Sequence, residues 1–368
     1  MRRPRVLRLL TILLISASMA GSASACTITV ADPRTPPRPD TLPEPPELDA
    51  VAAVWPEAVF TLPTRLRKGP SVQPVAMLSA NEVLMMTPFA LARFVAYDRR
   101  TGRHRVLATA PKWGECDMCY EVRSVAVGRT RITWTAEVYR SESWNAGKRH
   151  MELWTMPRSG GSMRLVTWLT GHDDVPFEDE LMIDGDDAVW YDGDAAYRIS
   201  LTTDKPQKVP EPAGAGPMAA SDPQERDARC GVEWCVGRVP PRPYELTTLV
   251  VERKDGSGRT TVAASSGGPL IGDRFGLFGL PYVYDDGPVH ILTEGPEASA
   301  VLYDRCTGGS ARAGAEEQPG TQDDADPAGA ITQGASGPDE PILFWQERGG
   351  KRYTVVDLSR IPDRSCGN

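Results

Sequence analysis

Phe94-Val95-Ala96-Tyr97-Asp98-Arg99-Arg100-Thr101-Gly102 reads as one apolar strand running into one tight turn. Aromatic and β-branched residues fit a pleated, half-buried surface. Asp and Thr side chains bond nearby backbone N–H groups, and Gly supplies the positive φ that tight turns need. The same unit returns five times along the chain, as LWTMPRSGG, AYRISLTTD, LVVERKDGSG, VLYDRCTGG and YTVVDLSR. Taking the residue that ends each strand as an anchor gives Asp98, Met156, Ser200, Glu252, Asp304 and Asp357, spaced by 58, 44, 52, 52 and 53 residues.

Between these anchors amphipathic helical periodicity is nearly absent. Short apolar runs such as Arg131-Ile132-Thr133-Trp134-Thr135 and Ile342-Leu343-Phe344-Trp345 are broken by Gly, Asp, Pro and Ser, which is the pattern of an all-β chain. A period of about 40–50 residues in such a chain signals a β-propeller, with one four-stranded blade per repeat. Six anchors predict six blades, with seven the neighbouring count. Two β-sandwiches are the competing fold, but the regular spacing runs through without a central linker. Trp134, Trp190, Trp234, Tyr284 and Trp345 precede the anchors and are read as core between blades.

In these repeats the chain resembles the TolB-like six-bladed propellers. It is most similar to exported, actinobacterial-type propeller lipoproteins, over roughly residues 55–366. The resemblance implies a fold rather than an activity. It also implies a ring closed by lending an N-terminal strand to the last blade. Glu57-Ala58-Val59-Phe60-Thr61-Leu62 is the candidate, beside the strands of Phe344 and Tyr353.

The N-terminus carries an address. Arg2, Arg3, Arg5 and Arg8 precede a short apolar core, Leu9 to Ile15, and a small-residue stretch ending at Ala25. Residues 1–25 are therefore read as a signal peptide; the apolar stretch falls short of the ~20 residues of a membrane span. Ala23-Ser24-Ala25-Cys26 fits ordinary signal peptidase. It also resembles a bacterial lipobox, although Ala23 stands where that family usually has Leu. Parity favours Cys26 as a lipidation site, because the six cysteines left over form an even set. Residues 26–54 include seven prolines between Pro33 and Pro46 and are read as a semi-rigid tether, with roughly 20 residues of it spanning ~60 Å. Residues 55–366 are assigned to the propeller.

The six remaining cysteines are disulfide candidates: Cys116 with Cys119, Cys230 with Cys235 across a hairpin, and by elimination Cys306 with Cys366. Exported thiols tend to oxidise. The alternative is a zinc site from Cys116, Cys119, Cys230 and Cys235. Residues 308–340, rich in Gly, Ala, Asp and Pro, are predicted to form a disordered loop; residues 211–229 are a milder case.

Removing residues 1–25 takes away four arginines and no acids, so the formal charge falls from −8 to −12. An acidic body without a basic run argues against nucleic acid as a partner and leaves the lipid as the one expected link to a membrane. Acids cluster at 173–180 and around Asp184, Asp186, Asp187, Asp192 and Asp194. They lack the EF-hand spacing and fit hairpin turns. His104, His150, His172 and His290 form no H-E-x-x-H motif, and no G-x-S-x-G elbow or phosphate-binding glycine loop occurs. No catalytic residue, metal or cofactor is therefore assigned. The expectation is a lipid-anchored propeller on the outer face of the cytoplasmic membrane that binds or scaffolds a protein partner or cell-envelope ligand. The alternative is a propeller hydrolase or lyase acting on envelope polymers. Trp113 and Trp144 are candidates for an exposed binding patch.

Overall fold

A computed structural model describes residues 39–87, 92–111, 120–139, 149–169, 182–184, 186–192, 195–202, 206–209, 228–231, 233–240, 242–284, 299–315, 330–334, 341–363 and 366. A single helical turn, α1 (Val51–Val54), precedes strand β1 (Val59–Pro63). Four antiparallel strands then form the first sheet: β2 (Gln73–Met77), β3 (Glu82–Met86), β4 (Arg93–Asp98) and β5 (His104–Thr109). The second sheet is β6 (Tyr120–Val127), β7 (Arg131–Tyr139), β8 (Arg149–Pro157) and β9 (Arg164–Leu169). The third is β10 (Met182–Asp184), β11 (Asp187–Asp192), β12 (Ala195–Ser200) and β13 (Pro206–Val209). The fourth is β14 (Arg229–Cys230), β15 (Trp234–Arg238), β16 (Thr248–Arg253) and β17 (Thr260–Ala263).

The fifth sheet has three strands, β18 (Phe275–Gly279), β19 (Ser299–Asp304) and β20 (Gly309–Gly314). A lone bridge between Gly267 and Phe278 stands where the other sheets place their first strand. The last sheet runs β21 (Thr332–Gln333), β22 (Ile342–Gln346), β23 (Arg352–Asp357) and then β1. The closing strand expected from sequence is thus in place, antiparallel to β23 with Leu62 opposite Tyr353.

Each anchor sits at or next to the end of a middle strand: Asp98 on β4, Met156 on β8, Ser200 on β12, Glu252 on β16, Asp304 on β19 and Asp357 on β23. The acids at three of them build the turn. Asp98 Oδ1 accepts the N–H groups of Arg100 (2.8 Å) and Thr101 (3.0 Å), and Gly102 follows at φ +70°. Asp304 accepts from Cys306 N and Thr307 Oγ1, and Asp357 from Ser359 N and Oγ. The repeat in the sequence is therefore a turn device with a physical cause.

Apolar runs such as Val83-Leu84-Met85-Met86 are buried without a break because both sheet faces are covered. Val83 and Met85 join a cluster with the last sheet, whereas Leu84 and Met86 join one with the second sheet. On β22, Ile342 and Phe344 face the first sheet's cluster, and Leu343 and Trp345 the fifth's. Other clusters link the second sheet to the third and the fourth to the fifth. Five such junctions are packed among the described residues, the last sheet returned to the first among them, which is the arrangement of a β-propeller.

Three sequence expectations are corrected. Within 308–340, Gly309–Gly314 is a strand and Thr332–Gln333 a short one. Ala311 and Ala313 are fully buried against the cluster that holds Val51, and their small side chains are what admit α1 there. The tether reading of 26–54 likewise stops short. Leu48 packs on the cluster of sheets four and five, and Arg312 N–H donates to Asp49 O at 2.8 Å. Tyr284 also lies off the strand expected of it, its backbone paired with Tyr244 and Glu245; Phe275 and Phe278 fill the core there.

Candidate functional site

On β8, His150, Glu152 and Trp154 are spaced by two, so the pleat puts all three on one face. Register places Val138 opposite His150, Ala136 opposite Glu152 and Trp134 opposite Trp154. On the other side β9 sets Trp168 opposite Glu152. The face they share is turned to the first sheet, where Phe94 meets Trp134 at 4.7 Å and Trp134 stacks near Trp154 at 6.3 Å.

Glu152 is fully buried, and a buried carboxylate needs donors. Among the described residues Trp154 Nε1 donates to it at 2.8 Å, and His150 Nε2, at 2.9 Å, donates in its Nε2–H tautomer. The ring of His150 stacks on Trp168 at 4.8 Å and 24°. Trp168 is 45% exposed, the largest side chain among the exposed hydrophobics of the described residues. Tyr120 accepts a bond from Trp134 Nε1 at 2.8 Å. Burial pushes the Tyr120 hydroxyl well above the usual phenol range, Trp134's N–H opposes the shift and Glu152's charge adds to it. The phenol therefore stays protonated at neutral pH.

In the tautomer that donates Nε2–H to Glu152, the His150 ring leaves Nδ1 as an acceptor. The arrangement holds an aromatic platform rigidly at an outer strand, with a carboxylate-oriented imidazole beneath it. It can stack a ring and accept a hydrogen bond. Sequence reasoning named His150 but missed Glu152, Trp154 and Trp168; the period-two spacing on a strand was the available signal.

The cysteines divide. Cys230 is bonded to Cys235 across the β14–β15 pair, and Cys306 to Cys366, joining the turn after β19 to the C-terminal tail. Cys230 and Cys235 are thereby removed as thiolate ligands, which overturns the four-cysteine zinc alternative. Asp363 has a ligand atom within 4.8 Å of the sulfurs of Cys306 and Cys366, but joined sulfurs offer no thiolate. Cys26, Cys116, Cys119, Trp113, Trp144, His172, His290 and the acids at 173–180 lie outside the described residues. His104 is exposed on β5. Among the described residues no helix is long and apolar enough to cross a membrane.

Comparison with protein-family models finds no match, and comparison with curated proteins finds none either. Solved structures do show similarity. An oligogalacturonate lyase in complex with manganese aligns at 10% identity and TM-score 0.38, over 84% of this chain and 88% of that one. A protein assigned as TolB from Agrobacterium tumefaciens aligns at 12% identity and TM-score 0.33, over 82% and 97%. A puromycin-hydrolyzing peptidase from Mycobacterium tuberculosis aligns at 14% identity and TM-score 0.32, over 76% and 45%. At these TM-scores the fold rests on the sheets described above.

Proposed function

We propose that the chain is an exported six-bladed β-propeller, anchored by lipid on Cys26, that binds a protein partner or a cell-envelope ligand. Six sheets support the blade count. Two disulfides fit an oxidising compartment outside the cytoplasm. The observation that carries the binding role is Trp168, a half-exposed indole fixed against His150 and the buried Glu152. Rigid aromatic side chains give large contact area at low entropic cost.

The test is crosslinking and affinity recovery from native-host membranes with wild type, Cys26→Ser and Trp168→Ala. The anchored binder predicts that wild type stays on membranes with defined partners, that Cys26→Ser is shed, and that Trp168→Ala stays but loses partners. Wild type free in the medium would sink the anchor; unchanged partners for Trp168→Ala would sink the site. One observation favours a second reading, an enzyme acting on envelope polymers: the His150–Glu152 pair has the geometry of an oriented general base. Activity on such polymers that His150→Gln abolishes would decide for it.

A further inference from the structure

Arginine follows the anchor acid in three of the six repeats, as Asp98-Arg99, Glu252-Arg253 and Asp304-Arg305. Arg99 of the first sheet lies over Phe60 of the closing strand, 4.6 Å from the ring centroid. In the fifth sheet Arg305 lies over Trp234 of the fourth, at 4.0 Å. There a second guanidinium, Arg253, occupies the same ring at 5.3 Å. Two cations thus share one indole that is itself only 5% exposed.

Both guanidiniums are partly exposed, and among the described residues neither forms an ion pair. Among the described residues the Arg253 side chain makes no hydrogen bond. Arg305 donates Nε to Asp273 O at 2.9 Å and Nη2 to Cys366 Sγ at 3.7 Å. Each carboxylate nearby has hydrogen-bond donors of its own, although the charges of Asp273 and Asp304 still bear on Arg305 and that of Asp255 on Arg253. Asp273 accepts from the backbone of Glu233 and Trp234, Asp255 from Ser257, and Asp304 from Arg274 at 2.9 and 3.0 Å. Burial, and then the charge of Arg253, hold Arg305 below its usual range, with the charges of Asp273, Tyr303 and Asp304 acting the other way. Such a pair gains most from an anion that takes several N–H donors at once.

The site is also built to stay in place. Trp234 lies next to the Cys230–Cys235 bond, and Arg305 next to Cys306 of the second disulfide. Asp273, at φ +53°, pins the backbone of Trp234. Gly258 leaves the indole its room, since a Cβ there would stand 2.8 Å from Trp234.

We propose that Arg253 and Arg305, carried on Trp234, bind a phosphate group of the ligand. The inference rests on the binding reading above, but its test needs no native partner. Purified protein is titrated calorimetrically with tripolyphosphate and, separately, with phosphatidylglycerol vesicles. Wild type binds, and Arg253→Gln and Arg305→Gln each weaken binding about tenfold or more, as loss of a charge-assisted bond implies. Arg99→Gln, with the same charge change at the equivalent repeat position, leaves it within about twofold. Arg253→Lys keeps the charge without the fork and recovers part of the affinity. Loss on both probes assigns a lipid-borne source as well; loss on tripolyphosphate alone assigns free or polymeric phosphate. No binding by wild type, or equal binding by wild type and Arg253→Gln, overturns the site and leaves the membrane fractionation result standing.

Discussion

Two junctions of the ring are held by different means. Between the last sheet and the first, closure is mostly backbone and apolar contact: β1 pairs along β23 for five residues, and Leu62, Leu66 and Val72 enter the shared core. Between the fourth sheet and the fifth, apolar packing is reinforced by charge. Arg305 crosses to Trp234; beside it, on the fifth sheet itself, Arg274 clamps the fully buried Asp304, and Cys306 is bonded to Cys366 of the C-terminal tail. The first junction can be undone by one misplaced side chain. The second has several supports, and each should give less when removed. The same repeat position, Arg99 or Arg305, serves both as a latch over an aromatic ring, so the repeat supplies the latch and the local residues decide what else it does.

The sharpest break is expected at Leu62, which is 1% exposed. Leu62→Asp strands a charge in the core and should cost roughly 4 kcal/mol or more, abolishing or broadening the urea transition. A cooperative transition near the wild-type midpoint would show that β1 is dispensable for closure. On the fifth sheet beside the other junction, Cys306→Ser with Cys366→Ser opens a loop of 60 residues. The chain-entropy model puts the loss at about 4 kcal/mol. Removing Cys230–Cys235, with a separation of 5, should cost about 2 kcal/mol on the same model. If both double mutants lose the same amount, the loop-length account of the clamp is wrong.

A smaller effect tests the seat of Trp234. Gly258 sits at φ +67° with the indole 2.8 Å from where a Cβ would be. Gly258→Ala should destabilise by about 1–3 kcal/mol through backbone strain and displaced packing. The ring latches come next. Arg99→Gln and Arg305→Gln each remove a cation–π contact worth about 1 kcal/mol. Thermal melts of the pair decide whether the junctions differ. Arg305→Gln should lose more than Arg99→Gln, because each guanidinium is opposed by another arginine, Arg253 or Arg360, whereas Arg305 alone also donates to Asp273 O and Cys366 Sγ. The reverse order would mean that the bonds from Arg305 to Asp273 and Cys366 add nothing to that junction.

What the sequence disclosed follows from the size of the residues involved. Anchors on β4, β16, β19 and β23 were legible because large apolar residues run straight into polar turn formers. The closing strand was legible as an unpaired apolar stretch before the first repeat. Strand β20 was not, because Gly309-Ser310-Ala311-Arg312-Ala313-Gly314 alternates only between Ala inside and Ser or Arg outside. Its burial is a consequence of α1 lying close by, which composition cannot reveal. The fifth sheet's first strand is reduced to a bridge at Gly267, since the ring of Phe278 fills the space that Gly267 and Gly276 leave open.

The site followed the same logic. His150, Glu152 and Trp154 belong to one strand and could be put on one face from spacing alone. Trp168 and Tyr120 join them only through register, and register on β6 and β9 is shifted by irregularities at Val122/Ser124 and Leu153/Trp154. A one-residue shift moves a side chain to the other face, so the aromatic platform could not be read without the pairing. Arg253 and Arg305 are 52 residues apart, and their meeting on one indole depends on two adjacent sheets packing.

The smallest expected effect concerns the turns that define the repeat. The Asp98 carboxyl is held below the usual range, chiefly by the Thr101 N–H, with Arg100 N–H and the Thr101 hydroxyl adding to it. A carboxyl depressed in the folded chain contributes stability that is present above its unfolded value and lost as pH falls through the folded one. Asp98 is only half-buried at a turn, so its share is small and screened by salt. Melting temperature followed downward from pH ~5 should therefore fall slightly less steeply for Asp98→Asn than for wild type, the amide oxygen keeping an acceptor without a charge to titrate. Asp255, depressed chiefly by Ser257, should behave the same way when replaced by Asn. Parallel acid limbs for wild type and Asp98→Asn would mean that the turn is held by the strand pairing around it, and that the acid at the anchor selects the turn without stabilising it.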